Sequence, residues 1–81
     1  MNREQIQATV IDTVATVLQM PANAVAADAT RADLPGWDSL KHVEIVFALE
    51  DATGVQFGEA EMAGLDGIAR IVDVVAQHHA A

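Results

Sequence analysis

The sequence predicts an all-α protein, a small four-helix bundle with three main helices, one short third helix and a long loop between helices 1 and 2. Apolar residues recur at intervals of three and four positions in three segments, which is helical spacing. No segment alternates apolar and polar residues, so no strand is predicted. The chain has 81 residues, too few for a second core, so we expect one domain over residues 1–81.

The first helix is predicted in REQIQATVIDTVATVLQM, residues 3–20, with Pro21 ending it. Its apolar residues fall on one side of the helix. They are Ile6, Val10, Val14 and Val17, flanked by Ile11 and Leu18. The following connection, residues 21–37, is too long for a simple turn. We therefore expect it to pack on the helices through Val25 and Leu34, or to carry function.

The second helix is predicted to begin at Asp38 or Ser39 and to run to about Ala52, stopped by Thr53 and Gly54. Seen along its axis, this helix has two apolar sides. The row predicted to face the core is His42, Ile45, Val46, Leu49 and Thr53.

The second apolar stripe of this helix consists of Leu40, Val43 and Phe47, and it should be exposed because so small a bundle has one core. The bordering acidic residues are Glu44, Glu50 and Asp51. An apolar stripe with an acidic rim suits docking onto a partner that has an apolar groove and a basic rim. The alternative is that Phe47 touches the long loop and the stripe is ordinary core.

The segment EAEMAGL, residues 59–65, is predicted to form about two turns of a short helix. The last helix should bury Ile68, Ile71, Val72 and Val75 and fray at His78 and His79. These two adjacent histidines point in different directions on a helix, so no metal site is predicted there.

The charge distribution excludes some classes of partner. Four basic residues against twelve acidic ones give a net charge of −8, which nucleic acids and anionic membranes would repel. Residues 38–61 hold six acids against one Lys, a net charge of −5 beside the apolar stripe. There is no Cys, and neither the N-terminal MNREQ nor the short apolar run IVFAL suggests a signal peptide or membrane span. We expect a cytoplasmic monomer.

Ser39 stands where the loop meets the second helix, a place where unpaired N–H groups and the helix dipole favour an attached phosphate. On this evidence alone, a plain N-cap by Asp38 or Ser39 is the favoured explanation. WDSL is similar to the GDSL signature of hydrolases, but Trp37 replaces its Gly and no catalytic triad is recognisable. The sequence therefore predicts no enzyme.

The motif Asp38-Ser39-Leu40, followed by VEIVFALE at residues 43–50, resembles the pattern of acyl carrier proteins, and the likeness extends over the whole chain. The resemblance implies that Ser39 carries 4′-phosphopantetheine, with Asp38 recognised beside it. It also implies that a phosphopantetheinyl transferase moves this group from coenzyme A to Ser39. The group's thiol would then hold acyl intermediates as thioesters.

The same resemblance implies two further sets of residues. The face read by partner enzymes, which include an acyltransferase, an acyl-activating enzyme or a ketosynthase, would be Leu40, Val43, Glu44, Phe47, Glu50 and Asp51. An acyl chain would shelter in a pocket lined by Ile45, Val46, Leu49, Met62, Leu65 and Ile68. For a short or polar cargo a closed core is the expected alternative.

Three residues depart from fatty-acid carriers and suggest polyketide or related specialised biosynthesis. They are Lys41, two residues after Ser39, the inward His42, and Trp37. We expect Trp37 to anchor the loop and His42 to bond loop backbone. Two alternatives remain at this point. One is a peptidyl or aminoacyl carrier loaded by an adenylating enzyme, and the other is an unmodified helical adaptor in which Ser39 is only a cap.

Overall fold

A computed structural model describes residues 1–80, and its four helices confirm the all-α prediction. They are α1 (Arg3–Leu18), α2 (Ser39–Thr53), α3 (Glu59–Ala63) and α4 (Ile68–Ala80). The long loop contains two 3-10 turns, Ala22–Ala24 and Arg31–Asp33. Within the described part there is no strand, only an isolated bridge between Thr30 and Gly67. The predicted domain extends to residue 81, which lies outside the described residues.

Helix α1 begins with a capping box. The Asn2 side chain accepts a hydrogen bond from the Gln5 N–H at 2.8 Å, and the Gln5 side chain accepts one from the Asn2 N–H at 2.9 Å. The helix ends at Leu18, two residues earlier than predicted, because Gln19 adopts a left-handed conformation with φ 57°. Pro21 therefore follows a helix that has already stopped.

The core lies between α1, α2 and α4. Its largest fully buried side chains are Ile6, Val10 and Val14 of α1, Ile45, Val46 and Leu49 of α2, Leu65, and Ile68, Ile71, Val72 and Val75 of α4. Val17, predicted on the same face of α1, is only partly buried. The long loop packs on this core through Val25 and Leu34, as predicted, and Trp37 is buried at 5% exposure, which confirms that it anchors the loop.

Helix α2 ends one residue later than predicted, at Thr53, because Gly54 supplies the left-handed residue that stops it (φ 73°). Thr53 is buried, and its hydroxyl donates to the Leu49 carbonyl at 2.7 Å. The Thr53 hydroxyl thus has a hydrogen-bond partner within its own helix, and Thr53 lies on the core side of α2 as predicted.

The C-terminal histidines do not fray, which corrects the prediction for α4. Helix α4 continues to Ala80. His78 donates through Nε2 to the Glu61 carboxylate at 2.9 Å, and His79 Nε2 lies 3.1 Å from the Thr53 carbonyl. These side-chain contacts with α3 and with the end of α2 hold the last turn in place.

The contacts of the Glu61 carboxylate depend on pH. The Gly58 N–H donates to it at 3.0 Å, and this bond, together with the His78 side chain, holds the pKa of Glu61 below its ordinary value of 4.5. A carboxyl whose pKa is lower in the folded state contributes stability above its unfolded pKa, and that contribution is lost as the pH falls through the folded pKa.

We predict that the stability difference between wild type and Glu61→Gln is present at neutral pH and disappears as the pH falls below about 4.5. The free energy of unfolding should be measured by urea titration across this range. Glu59→Gln removes the same charge from α3 without removing the two contacts, so it is the matched control. A difference between wild type and Glu61→Gln that persisted unchanged in acid would contradict this assignment.

Candidate functional site around Ser39

The first turn of α2 is capped by Asp38, not by Ser39. The Asp38 carboxylate accepts the Lys41 N–H at 2.9 Å, and the Asp38 carbonyl accepts the His42 N–H at 2.8 Å. Ser39 is consequently the first residue inside the helix and is exposed. Of the two N-cap candidates in the sequence, the structure therefore selects Asp38, and the Ser39 hydroxyl has no capping role.

The loop that leads into Ser39 is held rigidly. Gly36 takes a positive φ of 86° at the turn, and the Trp37 N–H then donates to the Leu34 carbonyl at 3.3 Å. From the other side, Arg31 Nε donates to the Trp37 carbonyl at 2.9 Å. The Trp37 side chain is also buried. The backbone directly before Asp38 and Ser39 is therefore held both by hydrogen bonds and by apolar packing.

The apolar stripe of α2 faces solvent, as predicted. Leu40 is 68% exposed, Phe47 63% and Val43 49%. The alternative in which Phe47 packs under the long loop is therefore wrong. These three side chains are neighbours on α2 and together form one continuous exposed apolar patch. Such a patch, unlike single exposed apolar residues, is typical of a docking surface.

The acidic residues around the stripe are not equivalent. Glu44 is exposed and pairs with Lys41 at 3.2 Å, and Asp51 is exposed as well. Glu50 is only half-exposed, and its carboxylate accepts the Phe57 N–H at 3.0 Å. The carboxylate of Glu50 thus helps to fix the turn between α2 and α3, a structural contact that the sequence did not reveal.

An apolar groove of about 250 Å³ lies between α2 and α3, one turn beyond Ser39. Its lining residues are His42, Val43, Val46, Phe47, Met62 and Ala63. Val43 and Val46 follow Ser39 by four and seven positions, so the groove lies on the same side of α2 as the serine.

The groove includes only part of the predicted acyl pocket. Val46 and Met62 line it. The other four residues of that prediction are fully buried core at 0% exposure: Ile45, Leu49, Leu65 and Ile68. In this conformation the space open to a ligand is therefore at the surface, between α2 and α3.

His42 connects three parts of the site. Trp37 Nε1–H donates to His42 Nδ1 at 3.0 Å, with the two rings stacked at a centroid distance of 6.1 Å. His42 Nε2 lies 2.7 Å from the Met62 carbonyl in α3. The expected bond from His42 to loop backbone is not made. Its partners are the Trp37 side chain and the Met62 carbonyl. Trp37 is only five positions away in the sequence, whereas Met62 is twenty positions away and nothing in the sequence indicates this contact.

Comparison with known proteins agrees with this geometry. A family model described as a phosphopantetheine attachment site matches residues 8–75. The chain belongs to this family. It is also 28% identical over 74 residues to the acyl carrier protein of Saccharopolyspora erythraea, an alignment that covers 91% of this chain and 78% of that protein. As a member of the phosphopantetheine-attachment family, the protein carries its cofactor, 4′-phosphopantetheine, covalently.

The residues at the start of α2 fit such a group. Ser39 is the only serine in the sequence, and its exposed hydroxyl makes no hydrogen bond to the described residues. The Lys41 and His42 N–H groups are occupied by Asp38, which leaves the Ser39 and Leu40 N–H groups at the positive end of the helix. A phosphate esterified to Ser39 would therefore lie beside two available donors.

Two other kinds of site lack support in the described residues. No helix within residues 1–80 combines the length and the apolar character needed to cross a bilayer. Nor does this range bring together three or more side chains suited to hold a metal ion. The two C-terminal histidines instead bond Glu61 and Thr53.

We predict that Asp38→Ala lowers the free energy of unfolding by about 1 kcal/mol because the Lys41 N–H loses its cap. Asp38→Asn should retain most of the stability, since Asn caps helices as well as Asp does. Urea denaturation of both variants at neutral pH tests this. Equal losses in the two variants would mean that the charge of Asp38, rather than its capping bond, is what stabilises α2.

Proposed function

We propose that this chain is an acyl carrier in which the Ser39 hydroxyl is the attachment point of 4′-phosphopantetheine. The observation that carries the proposal is the position of Ser39: the only serine of the chain is exposed at the first position of α2, with its hydroxyl released from capping by Asp38. A phosphopantetheinyl transferase would join Ser39 Oγ to the phosphorus that bears the pantetheine arm of coenzyme A. Adenosine 3′,5′-bisphosphate leaves, and the transferase takes the hydroxyl proton.

The attached group supplies the thiol that the chain lacks, and an acyl group held there as a thioester is presented to other enzymes. The role of the chain is non-catalytic. His42 is the nearest histidine in sequence to Ser39, and both of its ring nitrogens are engaged, one by Trp37 and one by Met62. It is therefore not available as a general base for the Ser39 hydroxyl.

The face around Ser39 would be the surface read by the transferase and by biosynthetic enzymes. Its apolar residues are Leu40, Val43 and Phe47, and its acidic residues are Asp38, Glu44, Glu50 and Asp51. Exposure of the stripe and the local excess of carboxylates support this role. Long-range attraction to a basic partner surface speeds encounter, while a stripe of three side chains keeps each complex short-lived.

An acyl cargo would lie in the groove lined by Val46 and Met62, next to Ser39 along α2. Its apolar lining favours an aliphatic chain over a charged one. We place the carrier in polyketide or related specialised biosynthesis. The support for this is the combination of a buried Trp37, a Lys41 paired with Glu44, and a bridging His42 around the serine.

We predict that incubation with coenzyme A, Mg²⁺ and a broad-specificity phosphopantetheinyl transferase adds one phosphopantetheine to the wild type and none to Ser39→Ala. Intact-mass spectrometry measures the addition, and circular dichroism checks that the variant remains folded. A folded wild type that stays unmodified with several transferases would instead favour the adaptor, whose stripe binds one stable partner.

We also predict that Glu44→Lys slows phosphopantetheine transfer about tenfold at low salt, with a smaller effect at high salt, because a steering charge is reversed. Phe47→Ala should slow transfer at both salt concentrations, since it removes apolar contact area. Glu4→Lys makes the same charge change at an exposed position of α1 and is the matched control. If Glu4→Lys slowed transfer as much as Glu44→Lys, net charge and not the α2 face would determine recognition.

A further inference from the structure

Helix α3 is held to the bundle in an unusual way. It has five residues, none of them fully buried, and its apolar contact with the core is made by the partly buried Met62. Two histidine contacts tie it down: His42 of α2 bonds the Met62 carbonyl at 2.7 Å, and His78 of α4 bonds the Glu61 carboxylate at 2.9 Å. A segment with little buried apolar surface opens at low free energy, so these polar contacts add to the packing of Met62 in holding α3 on the bundle.

The bonds of His42 select one form of its ring. An indole N–H can only donate, so Nδ1 of His42 must be the acceptor for Trp37. The proton of the neutral imidazole is then on Nε2, where it donates to the Met62 carbonyl. Nδ1 thus accepts a hydrogen bond from Trp37 while Nε2 donates one to Met62. The His42 ring therefore joins the loop before Ser39 to α3.

His42 also stands at the boundary between the groove and the core. It lines the groove together with Val46 and Met62. On α2 it precedes Ile45 by three positions and Leu49 by seven, so it belongs to the same row as these fully buried side chains. A chain that passed from the groove into the core would have to move α3 away from α2 and break the bond between His42 and Met62.

We propose that His42 is a positioning residue that keeps α3 on α2 and thereby limits how far an acyl chain can enter the protein. The inference rests on the proposed carrier function and names the size class of its cargo. With α3 in place, the chain is confined to the groove of about 250 Å³. A groove of this size suits a short or medium-length aliphatic chain.

The first test uses the unmodified protein and does not depend on the carrier function. Hydrogen exchange measured by NMR should show the amides of Met62, Gly64 and Leu65 exchanging about tenfold faster in His42→Leu than in the wild type, the effect of losing one hydrogen bond. Leu fills the space but cannot donate to the Met62 carbonyl. His42→Gln retains an N–H donor and should recover part of the protection. Unchanged exchange in His42→Leu would overturn the proposal.

The second test measures cargo depth. Wild type, His42→Leu and His42→Gln are loaded by the transferase from acyl-coenzyme A substrates ranging from butanoyl to dodecanoyl, and the Tm of each loaded protein is determined. Each methylene that becomes buried adds stability, so Tm should rise with chain length until the available space is filled. We expect the wild type to level off at a short or medium chain, His42→Leu to continue rising to longer chains, and His42→Gln to follow the wild type.

The outcomes separate the two proposals. Coincident Tm profiles for wild type and His42→Leu, despite faster exchange in α3, would leave His42 with a purely structural role and overturn the limit on cargo depth. A wild-type profile that is flat with chain length would overturn it as well, because no chain would enter the groove. Failure of all three proteins to gain mass at Ser39 would instead contradict the carrier function, while the exchange experiment would still report on α3.

Discussion

The hydrogen bond from the Lys41 N–H to the Asp38 carboxylate determines where α2 begins, and the arrangement of the site depends on that position. Successive residues of a helix are about 100° apart, so a serine in the first turn has a fixed direction relative to the side chains that follow it. With Asp38 as the cap, Ser39 lies in the first turn beside available N–H groups. Leu40, Val43 and Phe47 then face solvent, while Ile45 and Leu49 enter the core.

The helices of the bundle differ in how strongly they are held: α1, α2 and α4 form the packed core, and α3 is attached more weakly. Helices α1, α2 and α4 bury apolar side chains fully against one another, whereas α3 has only the partly buried Met62 on the core and is also held by His42 and His78. Hydrogen bonds to water compete with these contacts, so each contributes only on the order of 1 kcal/mol. Under the proposed carrier function, admission of a cargo between α2 and α3 would require α3 to separate from α2, and a helix held largely by such bonds would do so at low free energy.

The sequence predicts the parts of this structure that depend on local pattern. The two faces of α2 follow from helical periodicity, and the importance of Ser39 follows from the D-S-L motif in a short acidic helical chain. The end of α1 was misplaced because the helix stops at Gln19, a residue type with no special preference for positive φ.

Contacts between distant residues were the other source of error. The sequence predicted that His78 and His79 would fray because it does not reveal their hydrogen-bond partners. These partners, Glu61 and Thr53, lie 17 and 26 positions away. The bond from Glu50 to the Phe57 N–H and the bond from His42 to Met62 likewise join different elements. Periodicity places a side chain on a face of its own helix, but it carries no information about which polar atom of another element lies opposite.

The ion pair between Lys41 and Glu44 bears on how the acidic face could serve the proposed recognition by partner enzymes with a cation two residues from Ser39. Both side chains are substantially exposed, 35% for Lys41 and 45% for Glu44, and exposed pairs of this kind contribute less than about 1 kcal/mol. A basic residue of a partner enzyme can therefore displace Lys41 from Glu44 at small cost. Lys41, once displaced, lies two residues from Ser39, where a phosphate attached to the serine would attract it. If Ser39 is the attachment point, as we propose, the pair would keep the cation close to it and leave the face accessible to partners.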